Sequence, residues 1–544
     1  MKTSREWRTL AAAGCSVFRP DAAAGDQSGS TVEEQWSSGG SARYRNAMDR
    51  LRYGFIACVS TALVASACSS PASTSVDGVT FPKEFFWGSA SASFQIEKGN
   101  TNSDWSAWVA TAGKIKHGDS PDRGGPDGLA HIDDDIRALT DASQNMYRFS
   151  VEWSRIYPTK AAFDADTPDV EALAVYKQLL EKLKVAHITP MVTLQHFTLP
   201  IYFSDPSKNS EPQGWEKPET AAAFGVFCGR MGKEFGGLAD YWTTVNEPTV
   251  APLGGYVSGD FPPGIVLAVD RFFTAIKGQA RGAAACYDAL HRSDTIDVDG
   301  DGKAVLASVA AHQRTFHPSD PENENDVASA ERVRYLSNLW FLNTLTRGDW
   351  DDDGDMLLTG PNDKVADPAM KGRVDYIGLN YYSDTLIQFQ GSVPLFKGLP
   401  TRDHLPTGRA RTDLAWDIYP EGFETVLVEA AQYGYPIIVT ENGLADASDK
   451  NRARFIGEHL LALGRAQKRG ADVRGYIHWA LTDNFEWAEG LCPKFGLYSY
   501  DAATGARQAR GSVATFRSWI QAGAVTKAEV DALAPYVAPV ECTK

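Results

Sequence analysis

The chain has 544 residues, of which 43% are hydrophobic and 22% charged, as in ordinary folded globular proteins. This composition excludes a disordered chain and a collagen-like repeat, and seven cysteines are too few for a disulfide scaffold. The 69 acidic residues outnumber the 53 Lys and Arg residues, so the formal net charge is −16. Because a nucleic-acid-binding protein needs a basic face to neutralise phosphates, we expect no nucleic acid as a partner.

The first 78 residues carry export signals. Residues 1–47 show no apolar period, and we interpret them as a misassigned start that is not part of the fold. Residues 48–67 predict a signal peptide, because basic residues precede an apolar stretch too short for the roughly 20 residues of a membrane-spanning helix. The segment 64–68 (VASAC) is similar to a lipobox, with Cys68 as the lipidated residue, and residues 68–78 predict a flexible tether.

These signals predict an exported lipoprotein that is anchored to the cell envelope, periplasmic or on the outer surface, only through Cys68. Secretion without lipid and a cytoplasmic location are the alternatives. Export would place the remaining cysteines in an oxidising compartment. We expect Cys228 and Cys286, which lie in helical patterns, to be small buried hydrophobic residues. Cys492 and Cys542 could pair and hold the C-terminal tail, but the sequence alone does not establish the bridge.

Residues 79–525 alternate short β-rich runs with helical stretches eight times. The nearly continuous apolar runs are typical of parallel strands that are covered on both faces. Eight such units predict an α/β fold, a single (β/α)8 TIM barrel with elaborated loops on its C-terminal rim, followed by a tail at 526–544. The predicted strands are 85–91, 145–153, 188–197, 241–248, 304–312, 374–382, 436–443 and 473–481.

Two glutamates lie where predicted strands end. The fourth strand ends in Asn246-Glu247-Pro248, and the seventh ends in Glu441 followed by Asn-Gly. Strands of a barrel end at one rim, where barrel enzymes build their sites. Because glycosidic cleavage needs one carboxyl group as proton donor and another as nucleophile or base, the pair predicts a glycosidase.

The other strand ends supply polar and aromatic side chains. Amides and carboxylates can bind sugar hydroxyls, and flat aromatic rings can cover the apolar faces of a sugar. We therefore expect a small-molecule glycoside or oligosaccharide as the partner. The residues are Gln95, Arg148, His196, Asn246, Asn380, Tyr382, Trp479, Glu486 and Trp487.

Together these segments resemble glycoside hydrolase family 1, the retaining β-glucosidase and β-galactosidase family, from about residue 81 to residue 519. The most specific parts are 246–248, 440–443 and 483–487. Residues 204–206 and 214–215 are most similar to the archaeal-type branch of the family.

The resemblance implies that Glu441 is the nucleophile and Glu247 the general acid/base. Arg148, Tyr382 and Asn380 would then support the nucleophile. We expect Arg148 and Tyr382 to keep Glu441 ionised, and a dry, net negative pocket to raise the pKa of Glu247. The substrate-binding residues implied by the resemblance are Gln95, His196, Asn246, Trp479, Glu486 and Trp487. Phe495 lies in a segment that departs from the family pattern, and we expect it to line the sugar site as well.

These roles predict an exo-acting retaining β-glycosidase, first of all a β-glucosidase. A β-galactosidase, β-fucosidase or transglycosidase of the same family is the nearest alternative, and a noncatalytic carbohydrate-binding lipoprotein is an alternative of another class. The chemistry requires no cofactor, and the histidines show no metal-ligand spacing. The Asp-rich loops 297–302 and 349–354 begin like calcium loops but lack the Glu at the twelfth position. Structural calcium is therefore the weaker alternative to solvated turns.

Overall fold

The computed structural model describes residues 77–393, 395–401, 408–540 and 542. The predicted start, signal peptide and lipidated Cys68, together with the tether up to residue 76, lie outside the described residues. No helix in the described ranges is long and apolar enough to cross a membrane.

Eight parallel strands form a closed barrel, which confirms the predicted fold. Each strand pairs with the next along the chain, and the eighth pairs with the first. The strands are β1 (Phe86–Ala90), β2 (Met146–Ser150), β3 (Thr189–Thr193), β4 (Tyr241–Asn246), β5 (Leu306–Pro318), β6 (Ile377–Phe389), β7 (Ile437–Asn442) and β8 (Val473–Trp479).

Side chains alternate between two cores along each barrel strand, because successive residues of a strand point to opposite faces. In β2, Met146 belongs to the cluster inside the barrel, whereas Tyr147 and Phe149 belong to the cluster between barrel and helices. Both faces are buried, which explains why the strands read as nearly continuous apolar runs.

One main helix follows each strand and covers the barrel. The fifth continues through a π-helical turn, Tyr335–Leu339, into a further helix, Trp340–Arg347. Asp169 caps the second helix by accepting hydrogen bonds from the amides of Glu171 and Ala172, each at 3.0 Å. The main helices are α1 (Ile132–Asp141), α2 (Val170–Val185), α3 (Pro218–Phe235), α4 (Val269–Ser293), α5 (Glu324–Arg334), α6 (Pro420–Ala431), α7 (Arg452–Lys468) and α8 (Gly511–Ala522).

Shorter elements fill the loops, many of them beyond the C-terminal ends of the strands. Short strands pair antiparallel as Gly78–Thr80 with Ala524–Thr526 and Tyr498–Tyr500 with Arg507–Ala509. The short helices are Ser93–Ile96, Asp104–Ala110, Lys116–Gly118, Gly128–His131, Trp153–Ile156, Lys160–Asp164, Pro206–Lys208, Gly214–Glu216, Val250–Leu253, Gly254–Ser258, Trp487–Glu489 and Lys527–Asp531.

Strands β5 and β6 continue well beyond their predicted ends at residues 312 and 382. They remain paired as far as Pro318 and Ile387, and Gly398–Thr401 pairs antiparallel with the far end of β6. Polar residues and Pro318 in these stretches weaken the strand pattern, while the ladder between the two strands satisfies their backbone groups. The extension adds a wall above the rim.

Cys228 and Cys286 form a disulfide between α3 and α4, so the expectation that they only fill the core was wrong. Both are fully buried, as predicted. The two helices approach closely because small residues face each other: a Cβ at Gly225 would lie 2.9 Å from the Cβ of Ala285. The Cα atoms of the two cysteines are consequently only 5.2 Å apart, within the range of a disulfide.

Cys492 and Cys542 are also bridged, with their Cα atoms 5.7 Å apart. The bridge, which the sequence left open, ties the tail to the loop that carries Phe495. The tail is held by hydrogen bonds as well, since the Val540 amide donates to Asp413 at 2.7 Å and the Val537 amide donates to Asn451 at 2.9 Å.

Candidate active site

Glu247 leaves the barrel at the end of β4 through an unusual backbone conformation. Its amide donates to the carbonyl of Ala310 in β5 at 2.8 Å, and its φ is 47°. Pro248 follows and has no N–H with which to continue the ladder. A left-handed conformation at a residue other than glycine costs about 1 kcal/mol or more and is frequent in active sites. The chain therefore turns here and directs the Glu247 side chain to the rim.

Glu441 lies near the end of β7, opposite Asn380 of β6. The register between the two strands shifts just before this pair, and such irregularities re-aim side chains. At Gly443, an added Cβ would overlap the carbonyl oxygen of Trp479, so only glycine fits there. This close approach explains why a glycine must stand two residues after Glu441.

Arg148 is buried at the centre of the site and contacts both halves of it. Nη1 donates to Glu441 Oε1 and, at 3.2 Å, to the carbonyl of Thr440. Nη2 donates to Asn246 Oδ1 at 2.7 Å, and Nε donates to Thr193 Oγ1 at 3.1 Å. One guanidinium thus neutralises Glu441 and fixes the residue beside Glu247.

Tyr382 and Asn380 contact different carboxyl groups. The Tyr382 hydroxyl donates to Glu441 Oε2 at 2.6 Å, as the sequence predicts. Asn380 was expected to support Glu441, but its Nδ2 donates to Glu247 Oε1 at 2.9 Å. Its Oδ1 accepts from the hydroxyl of Thr440 at 2.7 Å, so Asn380 links the acid of β4 to the strand that carries Glu441. Both glutamates therefore belong to one hydrogen-bonded network.

His196 is held as a neutral ring with one free donor. Asn246 Oδ1 accepts from Arg148 and Asn380, so Nδ2 is the atom that lies 3.1 Å from His196 Nε2. An amide nitrogen only donates, and Nε2 must therefore accept, which leaves the proton on Nδ1. Burial, and then the charge of Arg148, hold the pKa of His196 well below its usual range. The site thus offers a neutral N–H donor suited to a sugar hydroxyl.

Aromatic rings line the same end of the barrel. The rings of Trp479 and Trp487 both stack with His196, at centroid distances of 5.7 and 6.0 Å. Phe495 is 1% exposed and meets the ring of Tyr382 edge-on at 6.1 Å. All the predicted aromatic residues therefore lie at the site.

Gln95 and Glu486 complete the predicted set. Gln95 Nε2 donates to the carbonyl of Phe485 at 2.9 Å and to Glu486 Oε2 at 3.4 Å. Burial, together with the charges of Glu441 and Glu247, raises the pKa of Glu486 to about 8. Near neutral pH a protonated Glu486 can donate a hydrogen bond, while Gln95 Oε1, which has no partner in the described part of the chain, can accept one. A donor beside an acceptor is suited to recognising hydroxyl groups.

The sequence of residues 78–524 matches the model of Glycosyl hydrolase family 1. The chain belongs to this family. It is 32% identical to "Beta-galactosidase" of Pyrococcus woesei, with 82% of this chain and 98% of the relative covered. It is 29% identical to "Beta-glucosidase A" of Thermotoga maritima, with 79% and 96% covered.

The fold of this family 1 glycoside hydrolase also matches solved structures. The β-glycosidase of Thermosphaera aggregans aligns with a TM-score of 0.73 at 25% identity, over 84% of this chain and 100% of that structure. The resemblance deduced from the sequence is thereby confirmed.

The pKa values of the two carboxyl groups depend on the charge of a residue that the sequence analysis did not select, His312. Burial and the charge of Glu247 raise the pKa of Glu441 to about 7, although Arg148 and Tyr382 lower it. Burial also raises the pKa of Glu247, but a charged His312 and the Asn380 amide lower it to about 2. With a charged His312, the expectation of a raised pKa at Glu247 is therefore wrong.

His312, Arg314 and Trp416 belong to the site of this family 1 enzyme but were missed. His312 Nδ1 lies 3.1 Å from Glu247 Oε1, and Arg314 Nε donates to His312 Nε2 at 3.0 Å. The half-buried Trp416 packs between Tyr382 and the loop that carries Phe495. His312 could have been predicted as a site residue, because it lies at the end of the fifth predicted strand.

The two Asp-rich loops each bring three carboxylates together, within 4.8 Å of one another. Backbone amides of these loops already donate to Asp240, Asp297 and Asp351. These hydrogen bonds account for the turns, and we assign no ion to them. The clusters are Asp240, Asp297 and Asp299, and Asp351, Asp353 and Asp355.

Proposed function

We propose that this family 1 enzyme is an exo-acting retaining β-glycosidase that cleaves terminal β-linked sugars with Glu441 as nucleophile and Glu247 as acid/base. The observation that carries the proposal is the unequal hydrogen bonding of the two carboxyl groups. Glu441 accepts hydrogen bonds from Arg148 and Tyr382, which favour its carboxylate form. Glu247 accepts one hydrogen bond, from Asn380, at one of its oxygens. The two-carboxylate mechanism requires no cofactor.

In the first step, a carboxylate oxygen of Glu441 attacks the anomeric carbon. The bond from that carbon to the glycosidic oxygen breaks, and the proton of Glu247 passes to the departing oxygen. Arg148 and Tyr382 favour the ionised form of Glu441, against the effect of burial, and orient it for this attack. The product is a glycosyl ester on Glu441 and a free alcohol.

In the second step, Glu247, now ionised, takes a proton from water. The water oxygen bonds to the anomeric carbon, and the ester bond to Glu441 breaks. Because the carbon is inverted twice, the released sugar keeps the β configuration. A sugar hydroxyl in place of water would give transglycosylation by the same route.

β-Glucosides are the substrates that we propose first, and β-galactosides are the second candidate. Relatives named for either activity cover most of the chain, which supports both. The neutral His196 N–H and the Gln95–Glu486 pair suit sugar hydroxyls rather than a charged sugar. Nothing in the intact pair of glutamates favours a noncatalytic binding protein.

A panel of chromogenic β-glycosides tests the function, and Glu441→Ala tests the assignment of the nucleophile. We expect Glu441→Ala to lose orders of magnitude in kcat, and azide to restore turnover of an activated aryl glycoside while giving the α-glycosyl azide. Glu331→Ala, which removes a carboxylate paired with Arg334 on α5, is the matched control and should keep activity. An active Glu441→Ala enzyme without azide would refute the nucleophile assignment.

We further propose that the enzyme is exported and anchored to the cell envelope through lipid on Cys68. The proposal rests on the sequence of residues 48–68, and the two disulfides of the barrel are consistent with an oxidising compartment. Metabolic labelling with a fatty acid tests it: label should enter the wild-type protein and be lost in Cys68→Ala. Label that persists in the variant would contradict the anchor.

A further inference from the structure

A chain of contacts leads from Arg314 through His312 to Glu247. Arg314 Nε donates to His312 Nε2 at 3.0 Å, and His312 Nδ1 lies 3.1 Å from Glu247 Oε1. The side chains of His312 and Glu247 are 9% and 8% exposed. Both residues lie in the part of β5 that continues beside β6, and their side chains meet there although the register of the two strands shifts between residues 313 and 315.

The contact with Arg314 determines the protonation of His312. The Nε–H group of arginine only donates, so His312 Nε2 must present its lone pair. The proton of the neutral ring then lies on Nδ1, the nitrogen that lies 3.1 Å from Glu247 Oε1. A second proton on Nε2 would point at Arg314 and break this hydrogen bond, so Arg314 keeps the ring uncharged.

Arg314 is itself held in place. Its Nη1 donates to the hydroxyl of Thr385 in β6 at 3.2 Å. Its backbone is bracketed by Asn338, whose Nδ2 donates to the Arg314 carbonyl at 2.7 Å and whose Oδ1 accepts from the Arg314 amide at 3.2 Å. Side chain and backbone together fix the guanidinium against the ring.

One oxygen of Glu247 is consequently occupied and the other is left for chemistry. Asn380 donates to Oε1, and His312 Nδ1 lies 3.1 Å from the same oxygen. In the described part of the chain, no protein group donates to Oε2. An acidic proton on Glu247 therefore resides on Oε2.

We propose that Arg314 is a positioning residue that holds His312 as the neutral Nδ1–H tautomer, so that Glu247 keeps its proton on Oε2 for the leaving group. The inference rests on the proposed role of Glu247 as acid/base. Without Arg314, His312 can take up a proton and become a cation beside Glu247, and a cation favours the ionised carboxylate, which cannot protonate a leaving group.

The surrounding charges fit this inference. A positive His312 is the strongest influence that lowers the pKa of Glu247, so a neutral ring removes it. The negative charge of an ionised Glu441 favours the protonated form of Glu247, because the two carboxyl groups repel each other when both are charged. The ionisable groups that face Glu247, His312 or Arg314 from neighbouring elements are His196, Tyr381, Tyr382, Asp384, Glu441 and Glu486.

The test compares leaving groups in Arg314→Leu. Cellobiose has a poor leaving group that needs a proton, whereas 2,4-dinitrophenolate leaves without one. At neutral pH we expect kcat/KM for cellobiose to fall about tenfold or more and kcat/KM for the dinitrophenyl glucoside to change little. The pH optimum for cellobiose should move to lower pH, because Glu247 beside a charged imidazole keeps its proton only there. Equal losses on both substrates, with no movement of the optimum, would overturn the proposal.

His312→Gln provides a second test, which does not depend on the folding of Arg314→Leu. A glutamine amide can donate to Glu247 but cannot take up a proton, so the pH optimum should remain near that of the wild type. In the double variant, loss of Arg314 should cause no further change in the ratio of the two kcat/KM values. The proposal fails if Arg314→Leu acts as strongly without the imidazole as with it.

Two controls separate this inference from its premise. Thr385→Val removes one of the contacts that hold Arg314 but leaves the Nε donor beside His312, so the pH optimum should move less than in Arg314→Leu. Glu247→Gln should lose activity on cellobiose far more than on the dinitrophenyl glucoside. If Glu247→Gln shows no such difference, the acid/base assignment fails first, and the role of Arg314 falls with it.

Discussion

Replacing Tyr382 by Phe removes one hydroxyl group from the nucleophile and leaves the ring in place. That hydroxyl donates to Glu441 Oε2 at 2.6 Å inside a buried site. Burial, and then the charge of Glu441, raise the pKa of Tyr382 well above its usual range, so the donor stays protonated at any working pH. A hydrogen bond to a charged group contributes about 1.5–3 kcal/mol, which corresponds to a rise of about 1–2 units in the pKa of Glu441 when it is lost.

The assay is kcat/KM against pH on an aryl β-glucoside. Glu441 attacks only as a carboxylate, so a higher pKa means that activity is lost at a higher pH on the acidic side. We expect the acidic limb of Tyr382→Phe to move up by about one unit or more and the plateau to fall about tenfold. Tyr381→Phe is the matched control, because its hydroxyl donates to the carbonyl of Tyr419 at 2.7 Å and not to Glu441. An unmoved limb in Tyr382→Phe, or an equal shift in Tyr381→Phe, would refute the reasoning.

Three further outcomes follow from the fold. Replacing both Cys228 and Cys286 by Ala opens a loop of 58 residues and should cost about 4 kcal/mol in the free energy of unfolding, measured by denaturant titration under oxidising conditions; an unchanged midpoint would contradict the bridge. Gly443→Ala should lower both kcat and thermal stability, because its Cβ overlaps a backbone oxygen that cannot retreat; a fully active, equally stable variant would show that the loop has room. Burial is the first cause that raises the pKa of Glu97 to about 7 and of Glu486 to about 8, from 4.5. The folded state therefore binds more protons than the unfolded chain, and the melting temperature should fall from about pH 5 to about pH 8; a rise over that range would contradict these shifts.

Much of the fold and most of the site could be predicted, because both follow from patterns among residues that are close in the sequence. The alternation of apolar strands with amphipathic helices specifies a barrel, and a barrel brings all its strand ends to one rim. The ends of β4 and β7 therefore identified Glu247 and Glu441 without coordinates. The residues predicted at the other strand ends lie at the same site, and only the partner of Asn380 differs from the prediction.

The missed features depend on geometry that spacing does not encode. The disulfide between Cys228 and Cys286 forms only if α3 and α4 approach closely at the level of these two residues. That approach depends on which small residues face each other between the helices. Arg314 was missed because the fifth strand was predicted to end at 312, so that the residue two positions on fell in a loop. The strand continues because β6 continues beside it, which is a property of the pair.

The bridge between Cys492 and Cys542 makes one side of the sugar pocket depend on the far end of the polypeptide. Phe495 lies three residues beyond Cys492, and the tail reaches this loop across the surface of the barrel. An enzyme made in a reducing cytosol would have the full sequence, but its pocket wall would be restrained by noncovalent bonds alone. A truncation or fusion near residue 542, which lies 50 residues after Cys492, would alter the same restraint.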